Sequence, residues 1–441
     1  MLLAKNDWWV AGCTASYVAW LTAFPMSGAL LGEADLMLWF LIPHTLGLLA
    51  LGYAARRLPP TLVKRLCRAG VVITSLLTMI SPLIPDMVAA LWMVVLGLGA
   101  VPVSLRIGQY LKGAAQPVTT AVATLAGGNL LALALIASPL TGPMKLMLLA
   151  VWLLSLFPRR EGAEAPGTGD ATPLGLLLRY LPFVLLFQVV SGLMYGGLLP
   201  AYGQVALLPG TEVLFYGVGA ILGLRLVGHY QPTVTMLTAV LGALVAFALW
   251  QISPHAMGIH GAMFAMMIAA GLVDLFLLSR ILMHDPVSTA YGYGVGTLCG
   301  GIVLGKWLAM SVGGAAEILI FIALIILNLA ALLLHMPFKT REAESSAPSD
   351  PPETAPPPII PPGIAQRLSE QEQHVLEQVM DDKTYREIAT HLAISESSVK
   401  TYMHRIYLKT GACRRHQLME MVRQSGITDS DPPATEPGHF R

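Results

Sequence analysis

Lys400, Arg405 and Lys409 share one short stretch with Ser397, Ser398, Thr401 and His404. Ammonium, guanidinium, imidazole and hydroxyl groups at helical spacing can bond phosphate oxygens and base edges, so the chemistry available there is nucleic-acid recognition. Lys400 is the first candidate contact. It is the only cation in the early turns beside Ser397, Ser398 and Thr401. Net charge adds little, because the surrounding segment has nearly as many acids as bases.

A second group lies in strongly apolar surroundings: Asn129, Gln188, His229, Asp274 and Lys306. An ionisable group inside a membrane is expensive, which makes Asp274 and Lys306 candidates for a ligand cavity. Snorkelling, bonding to a backbone carbonyl and hydrogen bonding between helices are the competing roles. The two charges fall at different depths in their segments and do not read as a pair. Asn129, Gln188 and His229 are the polar groups that could join a cavity. No G-x-x-x-x-G-K-[ST] loop, no Ser/His/Asp set and no metal-ligand spacing occurs. The chain is expected to be neither an enzyme nor a holder of a metal or cofactor. Cys13, Cys67, Cys299 and Cys413 are scattered and read as packing residues.

The bases of the first group need a helix to present them. Ser369 with Glu372, and Thr384 with Glu387, are capping-box pairs that start two helices. Leu368, Val375, Leu376 and Val379 line the first, and Ile388, Ala389 and Leu392 the second. Ser395 caps a third, with Val399, Met403, Ile406 and Tyr407 on its apolar face and Gly411 at its end. A fourth, Arg415 to Gln424, puts Leu418, Met421 and Val422 on one side. A helix, a short turn and a basic helix form the helix-turn-helix arrangement, whose second helix enters the major groove.

These residues resemble the LuxR-type (GerE-type) DNA-binding domain. The pattern is Leu368-Ser369-x-x-Glu372, Arg386-Glu387-Ile388-Ala389-x-x-Leu392, Ile394-Ser395, Val399-Lys400-Thr401, Ile406-Tyr407-x-Lys409 and Gly411, followed by Arg415. Asp382, Tyr402 and Thr410 depart from it, standing where the family usually has Gly, often His and usually Leu. The resemblance implies double-stranded DNA as partner. It also implies a homodimer on DNA, with the contact falling on Leu418, Met421 and Val422 of the fourth helix.

The rest of the chain sets where that domain sits. With 55% hydrophobic and only 12% charged residues and a mean hydropathy of +0.65, the 441 residues describe a polytopic membrane protein. Apolar spans fall at 8–30, 36–55, 69–86, 87–105, 117–138 and 144–158, then at 174–199, 211–228, 233–252, 258–280, 287–312 and 316–336. The expected fold is therefore all-α: a bundle of about twelve spans in two six-helix halves, plus a small four-helix soluble domain.

Six spans, a polar connection and six more resemble the major facilitator superfamily of transporters. The superfamily's Gly-x-x-x-Asp-Arg-x-Gly-Arg loop survives only as a trace, with Arg56 and Arg57 after Gly52 and Pro59-Pro60 in place of Gly-Arg. That loss argues against an ordinary transporter. The glycines of spans seven and eleven serve close packing or, in two-half transporters, rocking.

Basic residues set orientation. With the N-terminus inside, Lys5, Arg56, Arg57, Lys64, Arg65, Arg68, Arg106, Lys112, Arg159, Arg160, Arg179, Arg225, Arg280, Lys339 and Arg341 fall on the cytoplasmic side. Lys145 falls outside, with Glu33, Asp35, Asp86 and Glu317 on external turns. Both termini are then cytoplasmic and the protein belongs in the inner membrane. The expected domains are 1–341 for membrane sensing, 342–366 as a Pro-rich extended linker, 367–424 for DNA binding and 425–441 as a disordered tail. Together they predict a membrane-embedded transcription regulator that senses an unknown small molecule through its transmembrane domain. The alternatives are a working secondary transporter that carries a regulatory domain, and a tethered regulator whose sensor is a partner protein.

Overall fold

The computed structural model describes residues 3–26, 30, 36–157, 174–208, 210–334, 368–392, 394–410, 412 and 415–428. The chain divides into two compact units, Met1–Lys339 and Thr340–Arg441. No strand occurs among the described residues.

In the first unit, α1 (Lys5–Leu21) runs on through a π turn (Thr22–Met26), followed by α2 (Met37–Ala55), α3 (Pro60–Ile80), α4 (Asp86–Lys112), α5 (Pro117–Ala137) and α6 (Gly142–Leu153). The second set is α7 (Leu174–Leu178) leading into α8 (Leu181–Gly196), the short α9 (Leu198–Val205), α10 (Glu212–His229), α11 (Pro232–Ile252), α12 (Ala256–Ile281), α13 (Val287–Ser311) and α14 (Ala316–Leu333). Among the described residues, ten helices are long and apolar enough to cross a membrane. Gly142–Leu156, α6 with its following turn, is a shorter apolar helix, and α1 with its π turn covers most of the first expected span. Many large side chains on these helices are exposed, Leu91, Leu241 and Phe321 among them, as expected of surfaces solvated by lipid tails.

The third span begins earlier than its hydropathy suggested. Pro60 supplies the fixed φ that opens a helix at its first position, so Lys64, Arg65 and Arg68 lie within α3 and not in the preceding loop. The fourth span likewise runs on to Lys112.

Within the first half, α1 packs on α5 and α6, and α2 and α3 on α4; within the second, α8 packs on α13 and α14, and α12 on α10 and α11. The halves meet where α2 crosses α13 and α5 crosses α10. Glycine sets the first crossing: a Cβ on Gly52 would lie 2.8 Å from the Cα of Gly292. The two backbones touch because neither has a side chain there.

One end of the unit carries polar ties. Lys112 Nζ donates to the Leu282 carbonyl at 2.8 Å and lies 3.5 Å from Asp285, and Gln109 Nε2 donates to Ser288 Oγ at 3.0 Å. These bonds join the halves. At the same end Asp7 accepts from the backbone N–H groups of Ala115 and Gln116 at 2.9 and 3.1 Å, capping the start of α5 with a charge its dipole favours.

The second unit holds α15 (Glu370–Met380), α16 (Tyr385–His391), α17 (Glu396–Thr410) and α18 (Arg415–Thr428). α18 extends past Gln424, so the tail expected to be disordered is helical in its first residues. The 342–366 linker, Gly411 and Cys413 lie outside the described residues.

Candidate functional sites: a helix-turn-helix face and an inter-half cavity

Both capping boxes form in the second unit. Ser369 N–H donates to Glu372 Oε2 at 2.8 Å and Thr384 N–H to Glu387 Oε2 at 2.7 Å, while each hydroxyl accepts from the N3 backbone. Ser395 caps α17, its Oγ accepting from the Ser398 N–H at 3.1 Å. Val375, Leu376, Val379, Ile388, Val399, Met403, Ile406, Leu418 and Val422 form the core. Leu418 and Val422 are therefore committed inside the domain, and the dimer contact expected of them does not hold. Met421, half-buried, is what remains of that set.

The turn before α16 explains one departure from the family pattern. Asp382 has φ = 61°, in the left-handed region where Gly is freest and Asp is tolerated. Arg415 holds that turn, donating to the carbonyls of Lys383 at 2.9 Å and Val379 at 3.3 Å.

With Val399, Met403 and Ile406 inward, Thr401, His404 and Arg405 are exposed on the opposite side of α17 and Lys400 is exposed on its flank. Ser398 is half-buried and serves the cap, its Oγ 2.8 Å from that of Ser395. The Ser397 side chain lies outside the described residues. Lys409 sits on the flank and donates to Glu372 Oε2 at 2.5 Å. Lys409 of the expected basic row is thus tied to an acid of another helix, and Lys400, His404 and Arg405 are exposed.

Burial alone would raise the Glu372 carboxyl, but the Lys409 ammonium and the Ser369 donors outweigh it and hold it below its ordinary 4.5. The folded value lies under the unfolded one, so the stability it contributes is fully present above about pH 4.5 and is lost as pH falls through the folded value. In the 360–441 fragment, Glu372→Gln should lower stability near neutral pH and flatten its acid limb. Melting curves between neutral and acid pH check this; parallel acid limbs for the two proteins would refute it.

In the first unit a cavity of about 220 Å³ lies between the halves. It is lined by α1, α2, α4 and α5 from one half and by α8, α9, α10, α12 and α13 from the other. Of the expected residues, Asn129 and Asp274 line it. Gln188 stands behind Asp274 and donates to its Oδ1 at 2.7 Å. Lys306 is buried but is not a lining residue, and His229 is exposed and bonded to the Arg225 carbonyl.

Several lining groups were not anticipated. Glu212 and Tyr216 lie one turn apart on α10, and the Tyr216 hydroxyl donates to Asp274 Oδ2 at 2.7 Å. On the other side Tyr17, Ser104 and His44 form a chain of hydrogen bonds. His44 Nδ1 lies 2.9 Å from the Gly97 carbonyl, which can only accept, so Nδ1 carries a proton; Nε2 lies 3.2 Å from the Ser104 hydroxyl, which can donate or accept.

Comparison with known proteins adds two findings. Residues 366–422 match the family model described as bacterial regulatory proteins, luxR family. The carboxy-terminal domain is of the LuxR type. Among solved structures, the human organic anion transporter MFSD10 (TETRAN) is similar with a TM-score of 0.51 and 17% identity, over 75% of this chain and 98% of that one. At that identity the likeness is one of fold: the membrane domain shares the fold of that transporter. No curated protein matches the chain.

The LuxR-type domain suggests transcription regulation, and it is joined to a multi-pass membrane domain with a transporter's fold.

Proposed function

We propose that the protein is a membrane-embedded one-component transcription regulator, in which a small molecule bound between the halves alters how the LuxR-type domain engages DNA. The observation that carries this is the cavity: it is built by helices from both halves, within the same chain as a DNA-binding domain. A ligand touching both halves shifts their arrangement by as much as its affinities for the two states differ, and by no more. The Lys112 and Gln109 ties are the bonds such a shift would have to break.

DNA binding requires the C-terminus in the cytoplasm. The concentration of bases on the Lys5 side, with only Lys145 expected opposite, supports this orientation and an inner-membrane location. The Lys145 ammonium caps the carbonyl end of α5 by donating to Ile136 O at 2.8 Å, so that exception has a local use. Reporter fusions after Arg160 and Arg341 should read cytoplasmic and one after Lys145 external; a cytoplasmic signal at Lys145 would end the proposed topology.

Regulation and transport separate in one experiment. The full chain, reconstituted in vesicles and offered a ligand found by thermal-shift screening, should bind it without concentrating it. The same ligand should change occupancy of an operator obtained by genomic selection. Accumulation against a gradient, with operator occupancy unmoved, would make the chain a transporter that carries a DNA-binding domain. On DNA the regulator is expected to act as a homodimer; α18's exposed side and Met421 are the places left for that interface.

A further inference from the structure

Taking the inter-half cavity as the ligand site, as in the reading above, we propose that its ligand is a protonated organic amine with an apolar body about one aromatic ring in size. The charge balance of the lining is one-sided. Glu212 and Asp274 both line the cavity, and no Lys or Arg does among the described residues. His44 has both nitrogens engaged, one by the Gly97 carbonyl and one by the Ser104 hydroxyl.

Glu212 points to the missing group. It is only 9% exposed; its carboxyl is already hydrogen-bonded by Tyr202 and the Gly210 backbone, but its Oε2 has no hydrogen-bond partner among the described residues. A buried carboxylate oxygen left without a donor is costly, and a charged N–H is the donor that offsets that cost best. Asp274 complements it. Each of its oxygens takes one donor, from Gln188 or Tyr216, and a carboxylate has lone pairs for more. Because Tyr216 is four residues after Glu212, the two acids border the same stretch of α10, about 6 Å long by helical rise.

Tyr17, Tyr195, Tyr216 and Tyr291 also line the cavity. Their rings favour an ammonium over an anion through their π faces. The rest of the wall is largely Leu, Met, Val and Ile, which suits an uncharged body. A dry cavity of about 150 Å³ accepts benzene, so about 220 Å³ admits a ring with a short chain. An organic anion would meet two carboxyl groups with no Lys or Arg among the described lining residues to neutralise it.

Three probes share one frame and differ in charge: 2-phenylethylamine, 2-phenylethanol and phenylacetate. Binding to the purified full chain in detergent near neutral pH is followed by equilibrium dialysis. The amine should bind about tenfold or more tightly than the alcohol, and phenylacetate should not compete. Glu212→Gln should cost the amine about tenfold while leaving the alcohol unchanged. Asp274→Asn provides the same comparison if the first variant fails to fold. Equal affinity for alcohol and amine, preference for phenylacetate, no amine binding up to millimolar concentration, or amine affinity unchanged in the folded variants would each overturn the proposal. Operator occupancy is read separately. An amine that binds through Glu212 yet leaves the operator unmoved would refute the regulator and keep the cation site; an operator response to the anion would do the reverse.

Discussion

Gly305→Val is expected to prevent the membrane domain from reaching its native packing, and Gly305→Ala to destabilise it by about 2 kcal/mol or more, the scale of overpacking in a close-packed interior. The reason is backbone, not side chain. A Cβ on Gly305 would overlap the Val189 carbonyl oxygen and lie 2.8 Å from the Gly192 Cα. Nothing flexible is there to move aside, so α8 and α13 would have to separate. Reciprocally, a Cβ on Gly192 would lie 2.7 Å from both the Gly305 Cα and the Lys306 N. Gly12 supplies the control, since a Cβ there meets nothing within 4 Å. Gly12→Ala should be neutral or slightly stabilising, because alanine loses less backbone entropy in a helix. Thermal unfolding of the detergent-purified chain measures both. Equal melting temperatures for Gly305→Val and wild type would mean that the two helices do not touch.

What could be read in advance followed the range of the interaction. Capping boxes are local, so Ser369 with Glu372 and Thr384 with Glu387 placed two helix starts correctly. Ten of the expected spans were legible because a bilayer demands long apolar runs, and the errors fell at ends such as Pro60, where Lys64, Arg65 and Arg68 in the following turns hide a helix. The cavity was legible only in part. Asp274 stood out as a charge inside a span, toward its inner end, but Glu212 lies at the first residue of α10, where a charge normally marks the water boundary. Tyr17, His44 and Ser104 come from three helices, and nothing in the chain order says that they converge. Lys306 was expected in the cavity on depth alone. Depth does not fix which side of a helix a residue faces, and its backbone backs onto Gly192. Lys409 likewise appeared as one base in a row of bases, since its partner Glu372 lies 37 residues away.

That division of bases on α17 decides the expected behaviour on DNA. Thr401, His404 and Arg405 face outward around the side opposite the core, and Lys400 and Lys409 are exposed on its two flanks. If the outward face lies in the major groove, Lys400→Ala removes a bond either to a phosphate or to a base. The two cases differ in kind. Without a phosphate bond, binding to all sequences should weaken, and the slope of log affinity against log salt should fall by about 0.9 for each lysine neutralised. Without a guanine bond, the operator should bind about 1–3 kcal/mol more weakly and random DNA should be almost unchanged. Lys409→Ala should act otherwise: its first effect should be on stability, through Glu372, with little change in salt slope once the domain is folded. Salt titrations of the full chain on operator and random DNA, with both variants, test the whole face. Lys400→Ala with wild-type affinity on both DNAs would remove α17's outward side from the groove, and the reading direction of the helix-turn-helix would have to be assigned anew.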